Sequence, residues 1–181
     1  MSDPVHTIIL CEDLQLRCFI RRFLLKSGWH ARQLREVALP ANGGAGVTWV
    51  KNNLPAEIKA YRSRNAHAET CLIVGIDADH ETIETRIQAL KQACADANVP
   101  FRTTGEHIAL VIPKRNIETW LAFLRGEHVD ETSVYPKYNE ESQCKGQVAR
   151  LDEMCRSRRL EPEPPPPSLL AACNEFHQIS T

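Results

Sequence analysis

Short apolar runs alternate with stretches of helical periodicity along most of this chain. Thr7-Ile8-Ile9-Leu10-Cys11 is a continuous, β-branched apolar run closed by Glu12-Asp13, the pattern of a strand buried on both faces of a parallel sheet. Residues 14–26 carry Leu16, Phe19, Ile20, Phe23 and Leu24 at helical spacing, and Gly28 follows as a stop. The clearest buried strand is Cys71-Leu72-Ile73-Val74-Gly75-Ile76, which runs directly into Asp77-Ala78-Asp79. After it, Ile83, Ile87, Leu90, Cys94 and Ala97 predict one face of a helix over residues 81–97. A further strand over 108–112 stops at Pro113, and Ile117, Trp120, Leu121 and Leu124 then share one face of a short helix ended by Gly126.

Between these elements the pattern is weaker. Residues 34–39, ahead of Pro40, predict a second strand. Val47, Val50, Leu54, Ile58 and Tyr61 predict a helix over 47–64, interrupted or kinked at Pro55. The segment Asn42-Gly43-Gly44-Ala45-Gly46 reads as a turn, because it lacks the GxxxxGK[ST] spacing of a phosphate cradle. Past Gly126 a polar loop over 129–141 precedes a helix marked by Val148, Leu151 and Cys155. Prolines 162 and 164–167 then form an extended spacer, with Ser168 as the expected cap of a last helix through Phe176.

Strands alternating with helices predict an α/β fold with a mostly parallel sheet flanked by helices. We assign residues 5–126 to that Rossmannoid domain, and 127–181 to a C-terminal helical extension packed upon it. Length agrees, since 181 residues with 43% hydrophobic content suffice for one sizeable core.

Charge narrows the partners. With 22 Lys+Arg against 23 Asp+Glu there is no global basic excess, so any nucleic-acid contact must use a local patch. Arg17, Arg21, Arg22 and Lys26 make one candidate patch, with a solvated helix face as the plainer reading. The seven cysteines form no CxxC pair and several stand in apolar runs, where Cys packs as a small hydrophobe. Together with the lack of a signal-like leader or an apolar run of membrane length, they predict a soluble cytoplasmic protein.

The chemistry concentrates in the acids after the strands. Parallel strands end on one edge of their sheet, where open α/β folds place their sites, so Glu12, Asp77 and Asp79 can converge there with Glu118 of the short helix. Asp77-x-Asp79 lets two carboxylates address one small volume, and such a cluster repels itself unless a cation sits in it. Hard oxygen ligands suit Mg²⁺ or Mn²⁺. Each acid has a plainer reading: Glu12, Asp13 and Asp79 as helix caps, Glu118 as a charge favourable at a helix N-terminus. Asp77 has the weakest one, since an unpaired carboxylate at a buried strand end is unfavourable.

These residues resemble the Toprim superfamily, the domain shared by topoisomerases, bacterial primases, the overcoming-lysogenisation-defect nucleases and small stand-alone nucleases. The match is Ile8-Ile9-Leu10-Cys11-Glu12 for the first strand and its Glu, and Leu72-Ile73-Val74-Gly75-Ile76-Asp77-Ala78-Asp79 for the later Asp-x-Asp. Val111-Ile112-Pro113-Lys114-Arg115-Asn116-Ile117-Glu118-Thr119-Trp120-Leu121 is similar to the "RNIE-W-L" stretch of small Toprim-like bacterial proteins, often encoded beside ATPases of defence systems. The resemblance covers roughly residues 5–125. It departs at Asp13, where many Toprim proteins have Gly.

The resemblance implies Mg²⁺- or Mn²⁺-dependent cleavage of DNA or RNA as part of antiviral defence, with an ATPase protein partner. Asp77 and Asp79 would be metal ligands, Glu12 a ligand or general base and Glu118 a second-metal ligand, while Lys114 and Arg115 would stabilise phosphate charge. A topoisomerase role finds no support around Tyr61, Tyr135 or Tyr138. Two other readings stay open. One is a non-catalytic Toprim-like binding subunit. The other is a receiver domain phosphorylated at Asp77 with Lys114 beside it, although the 64 residues from Asp13 to Asp77 exceed the usual receiver spacing. A haloacid-dehalogenase phosphatase would want Asp-x-Asp-x-Thr, and residue 81 is Glu.

Overall fold

The computed structural model describes residues 6–41, 45–137 and 144–180. Two of the sequence expectations, part of the turn at 42–46 and the end of the loop at 129–141, lie outside the described residues, as does Tyr138. A four-stranded parallel sheet forms the centre, from β1 (His6–Cys11), β2 (Leu34–Glu36), β3 (Thr70–Gly75) and β4 (Ile108–Val111), in the order β2-β1-β3-β4. The helices are α1 (Leu14–Lys26), α2 (Gly46–Asn65), α3 (Ile83–Asp96), α4 (Ile117–Leu124), α5 (Lys145–Ser157) and α6 (Pro167–Ile179). This is the expected α/β architecture with its C-terminal helical extension.

Each face of the sheet has its own core, because alternate side chains of a strand point to opposite faces. Ile9, Cys11, Cys71, Ile73 and Ala109 face α1, α4, α5 and α6, while Ile8, Leu10, Leu72, Val74, Ile108 and Leu110 face α2 and α3. Strands buried on both sides explain the unbroken apolar runs at 7–11 and 71–76. The chain leaves β1 through α1 on one face, and returns from β2 to β3 through α2 on the other. Strand order therefore reverses between β1 and β3, the crevice where open α/β sheets hold their ligands.

β1 and β3 approach closely at their last residues. Cys11 stands opposite Gly75 in the register. A Cβ on Gly75 would lie 2.8 Å from Cys11 Sγ and 3.0 Å from Ile20 Cδ1, so the absence of a side chain lets α1 settle against both strand ends.

Four local expectations are corrected. The second strand ends at Glu36 rather than residue 39, although Val37 N–H still reaches Ile9 O at 2.9 Å; Pro40, which has no N–H to give a ladder, follows shortly. The helix at 46–65 runs through Pro55 without interruption. Val50, Leu54, Ile58 and Tyr61 are all buried, and their burial offsets the roughly 3 kcal/mol that an interior proline disfavours. Pro167 begins the last helix and Pro166 caps it, so Ser168 is not the cap; its hydroxyl accepts from Trp120 Nε1 at 2.8 Å and bonds Glu131. Finally, Cys155 and Cys173 are not separate packed thiols. They join α5 to α6 in a disulfide with Cα atoms 5.6 Å apart, a link between two helices that pack on different elements, α5 on α1 and α4 and α6 on β4. Cys11, Cys71 and Cys94 are buried as expected.

The C-terminal extension packs on the sheet domain at two places. α5 lies on α1 and α4, where Ser27 Oγ donates to Asp152 at 2.6 Å. α6 lies along β4, where Glu175 bonds both Arg102 and Leu110 N–H, the latter at 2.9 Å; Arg102 also donates to Ile108 O at 2.9 Å. The basic patch on α1 is largely committed. Arg17 and Arg21 both pair with Glu36 of β2, at 3.2 and 2.6 Å, and Arg22 donates to Cys144 Sγ at 3.3 Å. Among the described residues no helix is long and apolar enough to cross a membrane.

Candidate metal site

The site is built by continuing two strands past their ends. Glu12 N–H donates to Gly75 O at 3.0 Å, so the first residue beyond β1 is still held by β3. Past β3, Ile76 N–H donates to Val111 O, Ala78 N–H to Pro113 O and Asp79 N–H to Arg115 O, at 3.2, 2.8 and 3.2 Å. The Asp77 N–H, which faces the other way, donates to Glu12 Oε1 at 3.0 Å. The Asp77-Ala78-Asp79 segment is thus gripped between the end of β1 and the chain following β4, with every amide occupied.

Three carboxylates meet in this grip. Glu12, Asp13 and Asp77 each offer an oxygen, and these lie within 4.8 Å of one another, a set able to hold a divalent cation. Glu12 and Asp77 are both 7% exposed. Asp13 contributes through its second role, since it caps α1 by accepting from Leu16 N–H at 2.8 Å. The residue that departs from the Toprim pattern therefore supplies a further oxygen donor.

Electrostatics give the group its strain. Burial pushes the Asp77 carboxyl up to about 9, reinforced by the charges of Glu12, Asp13, Asp79 and Glu118. Burial likewise pushes Glu12 up to about 7, opposed by the hydrogen bond from Asp77 N–H and by Arg86, and reinforced by Asp13 and Asp79. The site at neutral pH thus retains protons that ordinary carboxylates would have lost. Asp77 Oδ1 is fully buried and has no hydrogen-bond partner. An orphaned acceptor in an all-oxygen cluster is what a hard cation satisfies, so the donor set fits Mg²⁺ or Mn²⁺.

The remaining expected site residues occupy different surroundings. Asp79 adopts φ +53, the left-handed region that Asp tolerates better than most side chains. Its carboxylate is 57% exposed and pairs with Arg86 at 3.3 Å. Glu118, in the first turn of α4, is 3% exposed, and its charge reaches Asp77. On either side of it in sequence, Asn116 Oδ1 and Thr119 Oγ1 are also buried without partners. Lys114 Nζ donates to Glu81 O at 2.6 Å and Arg115 Nη1 to Thr132 O at 2.8 Å, so both cations fasten backbone around the site.

Two participants escape the sequence pattern. Asp13 reads simply as a helix cap, and only the fold turns its oxygen toward Glu12 and Asp77. Arg86 reads as an ordinary polar position of the helix after Asp79; its signal is a cation placed one turn into that helix, seven residues beyond Asp79. Comparison of the chain with family models, with curated proteins and with solved structures finds no match.

Proposed function

We propose that this protein is a divalent-metal-dependent phosphodiesterase that cleaves DNA or RNA, a Toprim-type component of a bacterial defence system acting with an ATPase partner. The observation that carries the reading is the Glu12, Asp13 and Asp77 cluster, with the buried, unpartnered Oδ1 of Asp77 inside it. Its position at the strand-order reversal supports a ligand site rather than a structural knot of acids.

Glu12 and Asp77 would hold the cation directly, with Asp13 completing the near oxygens. Glu118 and Asp79 would act on waters around it, in keeping with the habit of Mg²⁺ to retain several. A bound Mg²⁺ or Mn²⁺ supplies Lewis-acid stabilisation of phosphate oxygens and a more acidic water. The chain's own residues supply the rest. Glu12, poised to exchange a proton near neutrality, is the group best suited to take one from an attacking water. Lys114 braces the turn after Asp79 through Glu81 O, holding the mouth of the site in shape.

Receiver-type phosphorylation is less favoured because the Lys114 ammonium is engaged by Glu81 O rather than by Asp77. The test incubates the purified chain with single- and double-stranded DNA and RNA in Mn²⁺, Mg²⁺ or chelator, alone and with a candidate ATPase partner. Metal-dependent cleavage abolished by Asp77→Asn supports the reading. Cleavage retained in that variant, or stable labelling of Asp77 by acetyl phosphate without cleavage, removes it.

A further inference from the structure

A site made of carboxylates has to admit a polyanion, and one side chain is built to allow that. Arg86 rises from the first turn of α3 with its side chain 17% exposed, and its Nη2 lies 3.3 Å from Asp79 Oδ2. That single long contact, to a carboxylate 57% exposed, is a weak surface pair. It leaves most of the guanidinium's five donors unassigned. The Nε–H is buried and has no acceptor.

Other arginines of this chain show what structural duty looks like. Arg62 makes two bonds to Glu106 and one each to the carbonyls of Pro100 and Phe101. Arg102 makes two to Glu175 and one to Ile108 O. Arg86 differs in that its one hydrogen bond is the long pair with Asp79, on the flank of the site where its charge acts on Glu12 as well as Asp79.

We propose that Arg86 binds a non-bridging phosphate oxygen of a nucleic-acid strand beside the carboxylate cluster, through its terminal Nη donors, Nη2 exchanging its long contact with Asp79 for the phosphate. A guanidinium fork matches two phosphate oxygens, and charge-assisted bonds of this kind are about twice as strong as neutral ones. The role rests on the phosphodiester reading above. It adds how the strand is held: the cation fixes one phosphate oxygen set, and Arg86 offsets the repulsion that Asp79 and Glu12 would otherwise exert. The Asp79 pair keeps the guanidinium extended toward the site until phosphate replaces it.

The test uses the full chain, a short fluorescent oligothymidylate and Ca²⁺ in place of a catalytic ion, with anisotropy followed across a salt series. Mn²⁺ affinity and thermal midpoint are measured separately. For Arg86→Gln we expect oligonucleotide affinity to fall about tenfold, and the slope of log affinity against log salt to become shallower by about 0.7, one single-strand phosphate contact. The thermal midpoint should stay near wild type and Mn²⁺ affinity should not fall, since a cation is removed from beside the carboxylates. Arg86→Lys should restore the salt slope while recovering only part of the affinity, since it keeps charge without the fork. Unchanged affinity and slope in Arg86→Gln overturn the proposal, as does a wild-type chain that binds Mn²⁺ but no oligonucleotide. If the wild type takes up no Mn²⁺ yet binds oligonucleotide in an Arg86-dependent way, the metal reading falls and this one stands.

Discussion

Glu12 Oε1 accepts the backbone N–H of Asp77 at 3.0 Å, so the carboxylate that ends β1 is tied to the main chain of its partner across the strand-order reversal. The bond makes Glu12 both a ligand candidate and a strut. Glu12→Gln keeps an acceptor for that N–H and removes the charge. It should raise the metal-free thermal midpoint at pH 8 while weakening Mn²⁺ binding about tenfold or more. Glu12→Ala leaves the buried N–H without an acceptor and should lose about 1–3 kcal/mol. Calorimetry and Mn²⁺ titration of the two variants separate the roles; equal effects on stability would show that the strut is unimportant.

pH acts on the same pair with a defined sign. Glu12 and Asp77 titrate near 7 and 9 in the folded chain, above their ordinary values of 4.5 and 3.8. The folded state therefore binds more protons than the unfolded state between those limits, and stability falls as pH rises. Their contribution is fully present below about pH 4 and declines from there, that of Glu12 being spent above about 7 and that of Asp77 above about 9. Thermal midpoints of the metal-free protein should follow this decline. Saturating Mn²⁺ should flatten it, because the cation replaces the retained protons, and an identical slope with and without Mn²⁺ would argue against binding at these carboxylates.

Gly75 sets how closely the two strand ends approach. A methyl there meets Cys11 Sγ at 2.8 Å, Ile20 Cδ1 at 3.0 Å and Leu16 Cδ2 at 3.1 Å, so Gly75→Ala should lose about 1–3 kcal/mol through overpacking. Since Gly75 O also receives Glu12 N–H, the same change should weaken Mn²⁺ binding without touching a carboxylate. Adding Cys11→Ala removes the nearest clash and should recover part of both losses, read by denaturant melts and Mn²⁺ titration.

Asp77 and Asp79 should part company on substitution. Asp77 is buried with an orphaned oxygen, whereas Asp79 is turned outward to Arg86. We expect Asp77→Asn to reduce Mn²⁺ affinity by at least about tenfold and Asp79→Asn by less than about threefold. Comparable losses from both would put Asp79 among the direct ligands.

The chain's hydrophobic pattern makes the central strands legible because burial on both faces leaves no room for polar interruption. Residues 7–11 and 71–76 show this, and the acids that end them are legible for the same reason. Less visible were features set by contacts between distant elements. Pro55 signals a break by local chemistry, yet packing against the sheet carries the helix past it. Ser168 has the look of a cap, yet Trp120 and Glu131 claim its hydroxyl. Asp13 and Arg86 join the site only through the angles at which α1 and α3 leave the sheet, and no spacing rule encodes an angle. The Cys155–Cys173 link likewise depends on two helices meeting.

The contact of α6 with β4 has a consequence for how this molecule meets others of its kind. β4 is an outer strand, and its Leu110 N–H and Ile108 C=O face away from β3. Glu175 and Arg102 occupy these two groups as a neighbouring strand would. At the opposite border β2 is only three residues long. One margin is thus covered by side chains acting in place of backbone, and the other is too brief to recruit a strand, which protects the sheet from edge-to-edge aggregation.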